Sequence, residues 1–197
     1  MRKVAPAVIL IFIFLLYVIV GATQKEAATR STITLSFNQT EYFHRWSQNG
    51  QHEFTPPGQD DLSKWTDMLT INFYPQVTDG ESLALVANQV LGNYKAQNAV
   101  VLKTASVPRT NEKPAEHLIA VVFGRPTFLE AVHTRLKLVK GNGVSIIHSY
   151  RVYGKAAGPA MSAWLKEYGA SIEKTLMAWE VPSSLSSLQK PPTPKRR

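Results

Sequence analysis

Apolar and polar residues alternate through Ile33-Thr34-Leu35-Ser36-Phe37, the two-residue period of a strand with one buried face. Two further strand-like stretches, residues 42–46 and 51–55, flank Asn49-Gly50, a dipeptide that suits the positive-φ positions of a tight hairpin turn. Pro56-Pro57-Gly58 closes that unit. After Trp65, the run Met68-Leu69-Thr70-Ile71-Asn72-Phe73-Tyr74 predicts a well-buried strand that Pro75 stops. The period then changes to that of a helix: Leu83, Val86, Ala87, Val90, Leu91 and Tyr94 recur at three- and four-residue steps, with Asp79 placed to cap and Glu81 in the first turn. Strands are predicted again at 100–107, 116–123, 128–139 and 144–153, the last two joined through Lys140-Gly141-Asn142-Gly143 as an antiparallel hairpin. Gly158-Pro159 opens a closing helix whose Met161, Trp164, Leu165, Tyr168, Ile172, Leu176 and Trp179 line one side. Strands in runs, bracketed by two amphipathic helices, predict an α+β fold: a largely antiparallel sheet in an α/β/α-like sandwich.

The N-terminus adds a different pattern. Arg2 and Lys3 precede 17 almost wholly apolar residues, 4–20, and Val20-Gly21-Ala22 offers small residues for cleavage. Residues 1–22 read as a secretory signal cut after Ala22, leaving an exported chain, periplasmic or extracellular. The same stretch is just long enough to remain as an uncleaved membrane anchor, which is the alternative. Residues 23–180 then form a single domain, and the Pro, Ser and basic composition of 181–197 predicts a disordered, solvated tail.

Composition narrows the setting. With 44% hydrophobic and 18% charged residues, the chain is an ordinary globular protein. It has no cysteine, so neither a disulfide nor a lipid-bearing N-terminal cysteine is available, which suits a bacterial envelope better than a disulfide-rich secreted domain. Of the 22 basic residues, two lie in the leader and four in the tail (Lys190, Lys195, Arg196, Arg197), which leaves 16 against 14 acidic ones in the body. That balance gives no footprint for nucleic acid. The basic tail could touch anionic lipid, at about 1 kcal/mol per charge near the surface. Asn38-Gln39-Thr40 is a glycosylation triplet that also arises by chance.

The order of elements from Trp65 and its strand, through the helix from Asp79 and the strands ending at Tyr153, to the amphipathic C-terminal helix resembles that of PsbP/Mog1-like domains. The likeness spans most of residues 31–180; the stretch from Glu116-His117 to Tyr153 also resembles small exported proteins of bacterial genomes. It implies an accessory or assembly factor that binds a larger complex without catalysis. No site residue is transferred by it.

The strongest chemical signal is the last hairpin. With a four-residue loop at 140–143, Arg135 faces His148 and His133 faces Tyr150, and all four share a face; His117 joins them if its strand is the neighbour. Directly opposed side chains lie about 5 Å apart. Such a group could bind an anion or, with Glu130, do acid–base work. Equally, these are the polar residues that the wet face of an open antiparallel sheet carries, and Glu130 alternates to the other face. The histidines have neither cysteine nor HExxH companions, so no metal site is predicted. Glu53, Asp60 and Asp61 lack the further oxygen ligands of a calcium loop. There is no GxSxG, P-loop or GxGxxG motif, and no cofactor is implied.

Two functions follow as expectations. The first is a non-enzymatic exported envelope protein that holds a protein partner with a sheet face or edge, signalled by an exposed patch such as Tyr42, Phe43 and Trp46. The alternative is a small hydrolase or anion-binding enzyme, which requires a pocket holding at least three of His133, Arg135, His148 and Tyr150. Membrane contact enters only if the leader is uncleaved.

Overall fold

The structure, a computed structural model, describes residues 33–185. The leader and the end of the tail lie outside the described residues. Strands β1 (Thr34–Phe37), β2 (Thr40–Gln48), β3 (Gln51–Thr55) and β4 (Asp67–Tyr74) precede helix α1 (Gly80–Ala96). Then come β5 (Val100–Val107), β6 (Glu116–Gly124), β7 (Phe128–Val139) and β8 (Asn142–Tyr153), and the closing helical segment, α2 (Ala157–Trp164) and α3 (Ala170–Ala178). All eight strands join one sheet in the order β1-β2-β3-β4-β8-β7-β6-β5, every pair antiparallel. The α+β architecture read from the sequence is therefore present.

Three of the hairpins turn on two residues of positive φ: Asn38 and Gln39, Asn49 and Gly50, and Lys140 and Gly141. That mirror-image turn matches the twist of the strands it joins. Asn49-Gly50 was legible, but the other two place Gln39 and Lys140 where glycine or asparagine is usual.

Alternate residues along each strand face opposite sides. On one side Ile119, Val121, Phe123, Val132 and Leu136 pack against Leu83, Ala87 and Tyr94 of α1. Asp79 caps that helix through the Ser82 N–H at 2.7 Å, and the Tyr94 hydroxyl meets Thr134 Oγ1 at 2.9 Å. On the other side Leu69, Ile71, Leu118 and Ile146 pack against Ile172 and Leu176 of α3, with Leu35, Phe37 and Phe54 completing that core. One helical layer on each face makes the α/β/α sandwich. Burying each such aliphatic or aromatic side chain is worth about 1.5–3 kcal/mol.

Two details differ from the sequence reading. The closing helix is interrupted by a π-helical turn at Leu165–Gly169, which rotates the stripe: Ile172 and Leu176 stay buried, whereas Tyr168 is 43% exposed. Residues 181–185, assigned by composition to the tail, lie against the body, with Val181 packed on the core and Leu185 fully buried. A single leucine anchor outweighs the polar composition around it.

Gly143 sits where a side chain has no room: a Cβ there would lie 2.7 Å from Val77 Cβ and Cγ1. We expect Gly143→Ala to lose about 1–3 kcal/mol through overpacking, read as a lower urea midpoint at unchanged slope.

Candidate functional site

The β7–β8 turn takes two residues, not four, so the pairing is displaced by two positions. His133 faces His148, Arg135 faces Ile146 and Tyr150 faces Ala131. A displacement of two preserves the side of the sheet, and His133, Arg135, His148 and Tyr150 do share the face covered by α2 and α3. His117 does not join them. It pairs with Leu136, which lies on the α1 side, and its Nδ1 meets Ser106 Oγ at 2.9 Å. Glu130 is also on the α1 side, bonded by Arg151 Nε at 2.9 Å.

Arg135 is buried and held at Nε and Nη1. Its Nε donates to Glu116 Oε2 at 2.7 Å, and its Nη1 to the carbonyls of Leu176 and Trp179 at 3.0 and 2.6 Å. Those carbonyls end α3, where the last turn leaves acceptors without helical partners and the helix dipole favours a cation. Lys137 repeats the arrangement nearby, donating to both oxygens of Glu180 at 3.0 and 2.9 Å. Arg135 is thus a helix clamp, and no donor of it points at a recess.

The two histidines sit side by side under Trp164. His133 is buried, its ring 6.5 Å from the Trp164 ring, and its Nδ1 has no partner among the described residues. Burial, helped by the neighbouring His148, lowers its pKa to about 4. His148 Nε2 lies 3.1 Å from Asp67 Oδ1, which makes Nε2 the donor nitrogen. The same oxygen accepts the Tyr42 hydroxyl at 2.9 Å, and burial followed by the charge of Asp67 raises the pKa of that phenol. Phe37 stacks on His148 at 5.3 Å, while Tyr150 lies flat against Trp164 at 4.2 Å and 4°. A recess of about 110 Å³ opens over this group, bounded by Asn38, Thr40, Asp67, Tyr150, Trp164 and Tyr168 among others. It reaches His148 and Tyr150 but neither His133 nor Arg135.

A larger depression of about 610 Å³ lies between the start of α1 and loop 109–115. Its helix terminus is already satisfied by Asp79, and it carries none of this chemistry. A second histidine group occupies the β2–β3 hairpin: Ser47 Oγ stands 2.6 Å from both His44 Nε2 and His52 Nδ1. Burial, then His44, lowers the His52 pKa to about 4, and His52 Nε2 has no partner among the described residues. With no group to orient that imidazole, and with so weak a base, the serine lacks the support a nucleophile needs. Among the described residues no three histidine, aspartate or glutamate side chains gather as a metal site would require. Asp60 pairs with Arg45, Asp61 holds Ser63 and Glu53 takes Gln51.

The expected aromatic patch is not on the surface: Tyr42 is buried, and Phe43 and Trp46 are half-buried. Exposed apolar area lies instead on β5, where Val100 is 64% exposed, Leu102 47% and Val107 50%.

In its architecture this chain resembles PsbP and Mog1 proteins. The Ran-binding protein Mog1p of Saccharomyces cerevisiae matches with a TM-score of 0.44 and 9% identity, over 75% of this chain and 94% of that one. Cyanobacterial PsbP (CyanoP) from Synechocystis matches with a TM-score of 0.42 and 10% identity, over 82% and 98%. The order of elements in the sequence pointed to the same two. No protein-family model and no curated protein matches the sequence.

Asp67, Tyr42, Phe37 and Trp164 complete the arrangement around His148, and sequence reasoning did not find them. Asp67 opens a strand that read as core, and Trp164 belonged to a stripe read as packing. The pairing of β4 with β8 sets Leu69 opposite His148 and Asp67 opposite Tyr150, and α2 lays Trp164 over His148 and Tyr150.

Proposed function

We propose that this chain is an exported binding or accessory protein without a catalytic role, which holds a protein partner by accepting an extended apolar segment along β5. The observation that carries this reading is the state of that strand. It is the sheet's last, and all eight of its residues are exposed. Edge strands offer unpaired N–H and C=O groups, and natural proteins guard them with charge, proline or brevity. Here Lys103 is drawn aside to Glu173 at 2.5 Å, leaving valine and leucine along the edge. Strand addition supplies main-chain hydrogen bonds for affinity, while alternate side chains give selectivity. The charged, apolar and small-residue segments of the leader support export. The hydrolase or anion-binding alternative has less to support it, since Arg135 is occupied and His133 is sealed beneath Trp164.

A photo-crosslinking residue at Leu102, introduced in the cell that makes the protein, tests the reading. One discrete adduct is expected there and none at Gln89, exposed on α1; Val100→Lys with Val107→Lys abolishes it, and the captured chain begins at Thr23. No adduct at Leu102, or an equal one at Gln89, refutes the edge as the binding surface.

A further inference from the structure

We propose that the recess beneath the π-helical turn binds a small organic cation of the methylammonium or guanidinium type. Tyr150 on β8, Trp164 at the end of α2 and Tyr168 within the π-turn bound it, with Tyr42 of β2 also in its lining. Trp164 and Tyr168 stand 6.1 Å apart with their planes inclined at 43°. Aromatic rings attract cations through the negative charge on their faces, tryptophan most strongly. Asp67 adds a carboxylate at the same recess. Its side chain is 26% exposed, and both of its hydrogen bonds, from Tyr42 and His148, fall on Oδ1. Oδ2 has no partner among the described residues.

The charge pattern around Asp67 points the same way. Glu116, Glu130 and Glu173 are each answered by an arginine or lysine. Among the described residues no lysine or arginine lines the recess that Asp67 faces. The volume of about 110 Å³ suits a group the size of tetramethylammonium or guanidinium rather than a larger ligand. Tyr150 and Trp164 hold each other at stacking distance, and Tyr42 and His148 fix the carboxylate, so the site is formed before anything enters it. Little ordering remains to oppose binding. The same chemistry comes either as a free ion or as the end of a lysine or arginine side chain.

Calorimetric titration of the full chain at mildly alkaline pH, where free imidazole is uncharged, tests the proposal. The probes are tetramethylammonium, guanidinium, choline with its uncharged carbon isostere, and short peptides with one central arginine or methylated lysine. Saturable binding of at least one cation is expected, with the carbon isostere of choline at least tenfold weaker than choline. Tyr168→Ala should weaken binding about two- to fivefold, the loss of one exposed cation–ring contact. Asp67→Asn, which keeps an acceptor for Tyr42, should weaken it more than tenfold. Tighter binding of a peptide assigns the cation to a side chain, and tighter binding of a free ion assigns it to a small molecule; both support the site. Equal binding of choline and its isostere, unchanged affinity in Asp67→Asn, or no saturable binding by any cation overturns it. None of these results bears on the β5 edge, which the crosslinking tests separately.

Discussion

Stability is expected to fall steeply as the pH drops from 6.5 toward 4, because His52 and His133 are buried with one ring nitrogen each lacking a partner among the described residues. Both pKa values are lowered from 6.5 to about 4, mainly by burial. Above 6.5 the rings are neutral in both folded and unfolded chains, and the full stability is present. Between 6.5 and 4 the unfolded chain binds protons that the folded one refuses, so stability is lost as the pH falls. His133 contributes a loss of about 3 kcal/mol by the bottom of that window and His52, less enclosed, a smaller one of the same sign, against a total stability of order 5–15 kcal/mol for a domain. Urea melts across this range measure it. His133→Leu should remove the larger part of the pH dependence whatever it does to stability at neutral pH. A flat profile above pH 5, or the same slope in the variant, would show that these rings protonate freely in the folded state.

Arg135→Met is expected to cost about 3–5 kcal/mol, the scale for breaking a buried charge pair and leaving its partners behind. Three acceptors lose their donor at once: Glu116, the Leu176 carbonyl and the Trp179 carbonyl. The melting temperature should drop by about 10 °C for a domain of this size. Trp179 gives a local readout, since its indole donates to the Ser36 carbonyl at 2.8 Å and its carbonyl is held by Arg135. Fluorescence should therefore report fraying of the helix end before global unfolding. Lys137→Met is the contrast: its nearer partner Glu180 is largely exposed and its second, Glu116, stands at 3.8 Å, so a smaller loss than that of Arg135→Met is expected. A loss below 1 kcal/mol in Arg135→Met would mean that water replaces the guanidinium.

The difference between Arg135 as expected and Arg135 as found shows where sequence reasoning stops. Its place on a strand and on a side of the sheet could be read, because alternation depends only on neighbours along the chain. What it touches could not, because Leu176 and Trp179 lie some forty residues away and approach only when α3 docks. His117 failed for a related reason. Its strand is the neighbour, the condition on which it would have joined the others, but its side depends on the β6–β7 register, which places it opposite Leu136. The aromatic patch failed because Tyr42 looks inward to Asp67, a contact set by two strands of which neither sequence mentions the other.

By itself the sequence determined the elements, their order, the α1 cap at Asp79 and the fold class, since hydrophobic period, capping and turn chemistry act over a few residues. It also placed His133, Arg135, His148 and Tyr150 on one face, a result that survived a two-residue error in the turn because the strand period is two. Tertiary structure alone decided that Arg135 clamps a helix and that Asp67 and Trp164 meet over His148. It likewise left β5 uncovered. Such contacts arise from the pairing of distant strands and the docking of helices, and burial there fixes which polar groups are satisfied and which remain open to a partner.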